Sequence, residues 1–312
     1  MNDINDHTGE SGGYIPGSDG KRAFVLTGIT QTPLPVLISV PHAGRDYPEQ
    51  LLAKMRRSAQ TTLRLEDRYV DLIGRTVAEQ TGAALLWAYA PRAMIDLNRA
   101  TDDMDWSMVS GGARDEARHS LANRRSRSGL GLVPRRLAGI GEIWSGPIER
   151  AELDSRIADI HQPYHAALGR SLDLIRDRWG AALLIDLHSM PPLRPRHPGE
   201  RTAEFVIGDR FGASCDPGIV ATALDYFGQH GRLVAHNRPY AGGYVLDRHA
   251  LPARGIHAIQ IEICRSSYLD SHLSEPSVRM NGVARLVAGL VSQLAGQIAE
   301  LGRGSAIPLA AE

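Results

Sequence analysis

The 312-residue chain has only two cysteines, no excess of charge of either sign and no long apolar run. The isolated Cys215 and Cys264 are too few for a disulfide framework or a thiolate zinc cluster, which favours a reducing compartment. Basic and acidic residues number 35 each, and a chain without a basic surplus is not expected to bind nucleic acid. No stretch approaches the roughly 20 apolar residues of a membrane span, and the N-terminus lacks a signal-peptide pattern. These absences predict a cytoplasmic protein with neither a nucleic acid nor a membrane as partner, and they leave its oligomeric state open.

The distribution of apolar residues predicts one large α/β domain with short tails. Residues 1–21 contain few large apolar side chains and are expected to form a disordered tail. Residues 22–304 alternate strand-like apolar runs with amphipathic segments, which favours a single-domain sandwich with a largely parallel sheet, and 305–312 is a C-terminal tail. Within the domain, 101–145 lacks periodicity and is rich in glycine, arginine and serine, so it is predicted to be an irregular insertion or flap.

Hydrophobic periodicity predicts the main elements of the domain. Within the predicted helical region 148–179, Pro163 should kink or break the helix because it lacks an N–H group. The predicted strands span 35–40, 84–89, 181–188, 204–207, 232–236 and 257–263, and the predicted helices span 48–57, 67–80, 148–179, 219–227 and 278–301.

Two of the predicted strands lead directly into a histidine. His42 follows the apolar run 35–41, and His188 ends the run 181–188, where Asp186 shares its strand face. Functional sites of open α/β sheets form at the carboxyl ends of strands, and a buried acid beside a histidine requires pairing or a metal. Two strand-end histidines with carboxylates nearby satisfy the requirements of a catalytic zinc with three protein ligands.

The third ligand is expected to be a carboxylate at the start of the next helix. Glu66 and Asp67 both occupy that position. Asp67 is the preferred ligand and Glu66 is the alternative, although an acid at a helix start can also serve only to stabilise the helix dipole.

Two further segments carry polar groups suited to catalysis. In strand 257–263 the isoleucines lie on one face and Gln260 and Glu262 on the other, which predicts that Glu262 is a general base. Cys264 is expected to be a small packed residue. Segment 96–99 combines a carboxylate, an amide and a guanidinium, of which arginine suits bidentate binding of a carboxylate and Asp96 could orient a metal-bound imidazole.

Five short motifs occur in order between about residues 35 and 270, and together they resemble the N-formylglutamate amidohydrolase family. That family is similar in fold to the zinc carboxypeptidases and aspartoacylases. The resemblance therefore implies a three-layer sandwich with a mostly parallel mixed sheet, of the phosphorylase/hydrolase-like type. The motifs are 39–44 (SVPHAG), 66–71 (EDRYVD), 186–190 (DLHSM), 240–244 (YAGGY) and 260–263 (QIEI).

The resemblance implies a metal centre and a general base. Zn²⁺ would be bound by His42, Asp67 and His188, and Glu262 would act as both base and acid. The chain departs from the carboxypeptidase-like relatives at position 45, where their His-x-x-Glu ligand pair would require an acid and Arg45 stands instead. The carboxylate ligand must therefore come from elsewhere, and the choice between Asp67 and Glu66 stays open.

The resemblance also implies substrate-binding residues. Asp96 would support a zinc-binding histidine, Asn98 and Arg99 would hold the substrate carboxylate, and Arg92 resembles the aspartoacylase arginine that helps to hold the oxyanion. The glycine-containing turn 240–244 would let the backbone approach a small substrate closely. Its residues predicted to bind substrate are Gly242, Gly243 and Tyr244.

The expected activity is hydrolysis of N-formyl-L-glutamate to formate and L-glutamate, a step that the resemblance associates with histidine catabolism. Alternatives are removal of another acyl group, as in aspartoacylase or succinylglutamate desuccinylase, and a non-catalytic binding role on the same fold. A glutamate substrate carries a second carboxylate and so needs a second cation. The candidates are Arg238, Arg265 and the insertion's Arg114, Arg118, Arg124, Arg125, Arg127, Arg135 and Arg136.

Overall fold

A computed structural model describes residues 10–111, 124–195 and 197–305. Eight strands form one mixed sheet, and four two-residue strands form two small ribbons in this part of the chain. The strands are β1 (Glu10–Tyr14), β2 (Arg22–Thr27), β3 (Val36–Val40), β4 (Ala84–Ala88), β5 (Val109–Ser110), β6 (Arg136–Leu137), β7 (Gly141–Glu142), β8 (Ile148–Glu149), β9 (Ala182–Met190), β10 (Phe205–Gly208), β11 (Val234–His236) and β12 (Ile256–Cys264).

The large sheet has the order β1-β2-β4-β3-β9-β12-β10-β11. Its centre, β4-β3-β9-β12, is parallel, whereas β1, β2 and β10 join through antiparallel pairs. The central strands are buried on both faces and read as continuous apolar runs, which is typical of parallel strands covered by helices. The prediction of a mostly parallel mixed sheet is confirmed.

Helices cover both faces of this sheet and complete three layers. Leu153, Leu168 and Leu172 pack on one face, and Ile73 and Leu290 pack on the other. The described helices are α1 (Glu49–Lys54), α2 (Ser58–Leu65), α3 (Val70–Thr81), α4 (Arg124–Arg127), α5 (Arg150–Arg156), α6 (Gln162–Trp179), α7 (Pro217–Gln229), α8 (Tyr244–His249) and α9 (Met280–Ser305).

The predicted disordered tail 1–21 is wrong from residue 10 onward. Residues 10–14 form β1, an edge strand that pairs antiparallel with β2. Its glycine-rich sequence gives no strand signal of its own, and the pairing instead depends on β2, whose Ala23 and Phe24 are buried. Ile15, which follows β1, is also buried in the core. Residues 1–9 lie outside the described residues.

The predicted insertion 101–145 is described for 101–111 and 124–145. It contains α4 and the short strands β5, β6 and β7, and its apolar residues Met104, Leu132 and Trp144 belong to the core cluster on one sheet face. These parts therefore pack on the domain. Residues 112–123, with Arg114 and Arg118, lie outside the described residues, as do 306–312 of the predicted C-terminal tail.

The helical region predicted over 148–179 is continuous from Arg150 to Trp179 with no break at Pro163, although a π-helical turn precedes the proline. Helix α5 ends at Arg156, a π-helical turn covers Ile157–His161, and α6 begins at Gln162. Pro163 lies two residues after the π-helical turn, a local adjustment that accommodates a missing N–H group within a helix. His161, the last residue of that turn, lies with Nε2 2.8 Å from the carbonyl oxygen of Arg99.

Helix α9 is the one described helix that is long and apolar enough to cross a membrane by length and composition. The window that meets these criteria is 56% buried in the protein. Its buried residues Val287, Val291 and Leu294 pack in the cluster on one sheet face. The apolar character of α9 is thus accounted for by packing within the domain.

Candidate active site

Three potential metal ligands meet at the carboxyl ends of β3 and β9. His42 lies two residues after β3, Asp67 precedes α3 and donates its backbone N–H to the carbonyl of His42 at 2.9 Å, and His188 lies on β9. One ligand atom from each residue lies within 4.8 Å of the other two, and each residue is only 2% exposed. The predicted histidines and the preferred acid are thus brought together.

The outer nitrogen of each histidine is held by a buried carboxylate. His42 Nε2 lies 2.7 Å from Asp96 Oδ1, and His188 Nε2 lies 2.8 Å from Asp186 Oδ2. Because a carboxylate only accepts hydrogen bonds, each Nε2–H is the donor. The Nδ1 atom of each ring then faces Asp67 and is the atom that would offer a lone pair to a metal ion. Carboxylate–histidine pairs of this kind orient metal-binding imidazoles.

The residues present fit a divalent metal ion. The Nδ1 atoms of His42 and His188 lie 3.5 and 2.9 Å from Asp67 Oδ2, and the buried Nδ1 of His42 has no hydrogen-bond partner among the described residues. Two imidazoles and one carboxylate form a ligand set that leaves a fourth position open in catalytic zinc sites. The observed donor set therefore supports a metal-binding site.

The electrostatics of the triad depend on its neighbouring carboxylates. Burial disfavours a charge on His188, but Asp186 and Asp67 outweigh burial and hold the pKa of its imidazole well above the usual value. Burial likewise opposes ionisation of Asp67, yet the hydrogen bond from His188 and the proximity of both histidines keep its pKa well below the usual range.

Glu66, the alternative third ligand, points away from the histidines. Its Oε2 accepts a hydrogen bond from Arg68 Nη1 at 2.9 Å. Glu66 is as buried as Asp67, so the two acids differ in direction and not in depth. The structure thus separates the two candidates, with Asp67 in the triad and Glu66 in an ion pair.

Glu262 lies next to the triad because β12 is parallel to β9 and pairs Glu262 with His188 in register. Gln260 shares its face and donates from Nε2 to Glu262 Oε1 at 2.9 Å. Burial raises the pKa of Glu262 to about 7, with His188 opposing that rise and Asp67 adding to it. A carboxyl group with a pKa near the working pH is suited to general acid–base chemistry.

The segment 92–99 supplies a guanidinium, an amide and a second guanidinium beside the triad. Arg92 Nε donates to Asp96 Oδ2 at 2.9 Å, and Asp96 Oδ1 also accepts the backbone N–H of Asn98. Burial alone would raise the pKa of the Asp96 carboxyl. The positive charge of Arg92 and the contact with His42 outweigh burial, so the pKa lies well below the usual range. Arg99 is anchored by Nε to the carbonyl of Leu130 at 2.9 Å. Asp96 therefore links the metal site to the cationic segment.

The turn 240–244 packs against Asn98 and lines, together with the triad, Arg92, Arg99 and Glu262, a cavity of about 490 Å³. Gly242 has a φ of +97°, a conformation that L side chains rarely adopt. A Cβ atom on Gly243 would lie 2.5 Å from Asn98 Oδ1, so the turn requires glycine in order to approach Asn98. The backbone N–H of Val245 donates to the same oxygen at 2.9 Å, and Tyr244 also lines the cavity.

A family model described as N-formylglutamate amidohydrolase matches residues 34–269, which include the triad, segment 92–99 and Glu262. The chain belongs to the N-formylglutamate amidohydrolase family. The match begins just before β3 and ends after β12, so it contains the strands that position the site.

Named relatives of this family agree with the assignment. The N-formylglutamate deformylase of Pseudomonas putida is 30% identical over 274 residues, which cover 84% of this chain and 91% of the relative. That of Pseudomonas aeruginosa is 28% identical over 243 residues, which cover 76% and 83%. The crystal structure of N-formylglutamate amidohydrolase from Ralstonia eutropha JMP134 matches with a TM-score of 0.79 and 29% identity, covering 89% of this chain and 99% of that chain. A gene product of Agrobacterium tumefaciens shares the fold, with a TM-score of 0.65 and 18% identity, covering 88% and 96%.

Sequence reasoning missed a group of buried histidines behind the cationic segment of this family member. His161 Nε2 lies 2.8 Å from the carbonyl oxygen of Arg99, and His165 Nε2 lies 2.9 Å from that of Leu97. His249 Nε2 in turn lies 2.9 Å from His165 Nδ1. His161 and His165 are four residues apart, a spacing that would place them on one helix face, but the contribution of His249 depends on the tertiary fold.

Three further residues discussed from the sequence, Asp186, Arg265 and Cys264, also lie at or near the site. Asp186 was placed on the face of His188, and its hydrogen bond to Nε2 follows from that spacing of two residues. Arg265, considered as a substrate cation, instead donates to Ser189 Oγ at 3.1 Å and to the backbone carbonyl of Glu66. Cys264 packs in a small buried cluster with Met190 and Val206, as expected.

Proposed function

We propose that this protein is a zinc-dependent amidohydrolase that cleaves N-formyl-L-glutamate to formate and L-glutamate. The observation that carries the proposal is the convergence of His42 Nδ1, Asp67 Oδ2 and His188 Nδ1 beside Glu262. It occurs in a chain whose family relatives are named N-formylglutamate deformylases. The two buried, unpaired cysteines suit a reducing compartment, and we extend the proposal to the cytoplasm.

Zinc is the ion we propose for the site because imidazole and carboxylate ligands in a three-residue set suit it. When bound in such a site, zinc lowers the pKa of water to about 7 and polarises a carbonyl group. His42, Asp67 and His188 would hold the ion. Asp96 and Asp186 would fix the orientation of the two imidazoles through their Nε2–H groups.

Glu262 is proposed as the proton carrier of the reaction. As water attacks the formyl carbon, Glu262 accepts the proton of that water. Gln260 Nε2 donates a hydrogen bond to Glu262 Oε1 at 2.9 Å. The other carboxylate oxygen, Oε2, is therefore the one proposed to accept the proton. When the C–N bond breaks, Glu262 returns the proton to the departing amine, so that formate and glutamate leave.

Arg92 is proposed to stabilise the developing oxyanion. Its Nε is fixed by Asp96 at 2.9 Å, and the residue lines the cavity beside the triad. A buried cation whose position is fixed before the reaction stabilises charge in the transition state with little reorganisation. Burial opposes a charge on Arg92, but Asp96 outweighs it and raises the pKa of the guanidinium, so the group stays charged.

Asn98 and Arg99 are proposed to hold the α-carboxylate of the substrate. Asn98 is fixed through its Oδ1 by the N–H of Val245, and Arg99 is fixed through Nε by Leu130. Gly242, Gly243 and Tyr244 line the same cavity and would contact the substrate there. A small N-formyl amino acid would thus lie against both the turn and the cationic segment.

The test is a measurement of formate and amine release by metal-replete protein from N-formyl-glutamate, N-formyl-leucine, N-acetyl-aspartate and N-succinyl-glutamate. We expect kcat/KM for N-formyl-glutamate to exceed that for N-formyl-leucine by about 10²-fold or more, because a site that pairs with a substrate charge rejects analogues without it. Chelation should abolish turnover, and zinc should restore it. Faster cleavage of N-acetyl-aspartate or N-succinyl-glutamate would assign another deacylase activity, and metal binding without any turnover would indicate a binding protein.

A further inference from the structure

We propose that Arg125 binds the side-chain carboxylate of the substrate and thereby selects glutamate among N-formyl amino acids. The inference rests on the proposed function, since it identifies the cation that a dicarboxylate substrate would require. Arg125 lies on α4 and lines the cavity that contains the triad.

The other arginines of the cavity each contact the protein through a hydrogen bond or an ion pair, and two of them, Arg92 and Arg99, already have proposed roles with other groups of the substrate. Six arginines line it: Arg64, Arg92, Arg99, Arg125, Arg210 and Arg265. Arg64 donates to the carbonyl of Ala138, and Arg210 is paired with Asp247. The three remaining engaged arginines, Arg92, Arg99 and Arg265, are held by the contacts described above. Among the described residues, the side chain of Arg125 alone in this set has no hydrogen bond or ion pair.

Leu130 fixes the position of Arg125 relative to the proposed α-carboxylate site. Its backbone N–H donates to the carbonyl of Arg125 at 2.9 Å, and its own carbonyl accepts Arg99 Nε at 2.9 Å. The short helix is further held by Asp103, whose Oδ1 accepts the N–H of Ser126 at 3.0 Å. Leu130 therefore links the backbone of Arg125 to the side chain of Arg99, and both arginines line the cavity of the triad.

At this end of the cavity Arg92, Arg99 and Arg125 outnumber the carboxylates of Asp96 and Asp103, of which Asp103 Oδ2 lies 3.9 Å from Arg99 Nε. Arg99 is half-buried, and its desolvation together with repulsion from Arg92 and Arg125 lowers its pKa, an effect that Asp96 and Asp103 oppose. Asp96 is already bonded to His42 and Arg92. An α-carboxylate on Arg99 would therefore leave Arg125 unneutralised, and a second carboxylate on the same substrate would pair with it. Guanidinium groups suit such planar pairing.

The other candidates proposed from sequence fit this role less well. Arg265 is buried with its nitrogens directed at Ser189 and the backbone of Glu66. Arg238 is exposed and does not line the cavity. Arg127, on the same helix as Arg125, lines a separate cavity with Arg135 and Arg136. Among the insertion arginines whose side chains the structure describes, Arg125 is thus the one that lines the cavity of the triad.

The experiment varies both the charge of residue 125 and the charge of the substrate. Wild type, Arg125→Met and the matched control Arg127→Met are assayed with N-formyl-glutamate and with its neutral isostere N-formyl-glutamine. Loss of a charge-assisted pair should reduce kcat/KM of Arg125→Met for N-formyl-glutamate by about 10–100-fold, and should leave N-formyl-glutamine within about threefold of wild type. Arg127→Met should match wild type on both substrates.

The outcomes separate the inference from the function on which it rests. If wild type fails to cleave N-formyl-glutamate, the proposed function is wrong, and the role of Arg125 is overturned with it. If wild type prefers the glutamate substrate and Arg125→Met keeps that preference, Arg125 is not the selecting residue although the function stands. Equal losses on both substrates would also overturn the inference. Because Arg125 is exposed, zinc content and the melting temperature of the variant should equal those of wild type.

Discussion

The Nδ1 atom of His42 lies 3.5 Å from Oδ2 of Asp67, and the two residues come from separate segments whose backbones are joined by one hydrogen bond. No described residue forms a hydrogen bond with that nitrogen. Buried polar atoms are costly when unpaired and are nearly always satisfied in folded proteins. The separation fits two ligands that face a common ion better than it fits a direct pair. The relationship between His42 and Asp67 therefore marks the proposed zinc position.

The first prediction compares two neighbouring acids that are equally buried. Asp67→Ala should lose bound zinc because it removes one of three ligands, whereas Glu66→Ala should retain it because Glu66 is paired with Arg68. Elemental analysis of the purified variants, beside His42→Ala and His188→Ala, measures the difference. Full zinc occupancy in Asp67→Ala, or its loss only in Glu66→Ala, would move the third ligand away from Asp67.

The second prediction concerns the carboxylates behind the histidines. Asp186→Asn should weaken zinc affinity by about 10–100-fold, as is typical when a group that orients a metal ligand is altered. Asp186 also accepts a hydrogen bond from Ser39 Oγ at 2.6 Å, so Ser39→Ala is the matched control and should have the smaller effect. Competition with a chelator of known affinity gives both constants. Equal affinities in wild type and Asp186→Asn would show that Asp186 has no influence on the metal.

Much of the fold and part of the site could be predicted because strand periodicity determines which side chains share a face. The alternation in 181–188 and 257–263 placed His188 and Glu262 on the polar face of the sheet, and the observed register pairs them. The choice between Glu66 and Asp67 was different. Both lie in the short segment between α2 and α3, where neither the helical nor the strand periodicity predicts where a side chain points. The direction of each acid depends instead on tertiary contacts, with Arg68 for Glu66 and with the histidines for Asp67.

Other features could not be predicted because they depend on distant partners. Strand β1 is rich in glycine, and its strand conformation depends on hydrogen bonds to β2. The contact between His165 and His249 joins residues separated by 84 positions. Such contacts have no local signal, since neither residue alone differs from an ordinary core histidine. Together they nevertheless support the carbonyl group of Leu97, in the segment proposed to bind substrate.

The third prediction tests the proton carrier. Glu262→Gln preserves the shape of the side chain and should retain zinc and the fold, but kcat should fall by about 10²–10⁴-fold because no group then accepts the proton of water. Single-turnover formate release and zinc analysis on the same sample separate chemistry from metal loss. Near-normal kcat at full zinc occupancy would remove Glu262 from the mechanism.

The fourth prediction is a dependence of stability on pH. Burial lowers the pKa of His249 to about 3 and that of His165 well below its usual value, so both bind protons in the unfolded state before they do in the folded one. Their stabilising contribution is complete above about pH 6.5, and is lost as the pH falls toward the folded pKa values. Each such histidine adds about 1.4 kcal/mol per pH unit to the slope of the unfolding free energy.

His249→Gln should therefore reduce that slope by about one proton between about pH 4 and 5.5. Denaturant unfolding of wild type and variant across this range measures it, and His272→Gln, at an exposed position, is the control. Zinc release contributes equally to all three proteins. An unchanged slope in His249→Gln would show that this histidine is not held neutral by the fold.

The last prediction concerns His161, which contacts the backbone of Arg99, a residue proposed to bind substrate. Its Nε2–H donates to the carbonyl of Arg99 at 2.8 Å, and burial lowers the pKa of the ring, so it serves as a neutral donor. His161→Leu removes the donor, worth about 1 kcal/mol, and should raise KM for N-formyl-glutamate by about fivefold. The value of kcat should stay nearly unchanged, because a carboxylate clamp binds substrate and transition state alike. His161→Gln, which can place an amide donor near the same carbonyl, should recover most of the loss. A fall in kcat at constant KM would instead place His161 in the chemical step, and failure of His161→Gln to recover KM would assign the effect to packing.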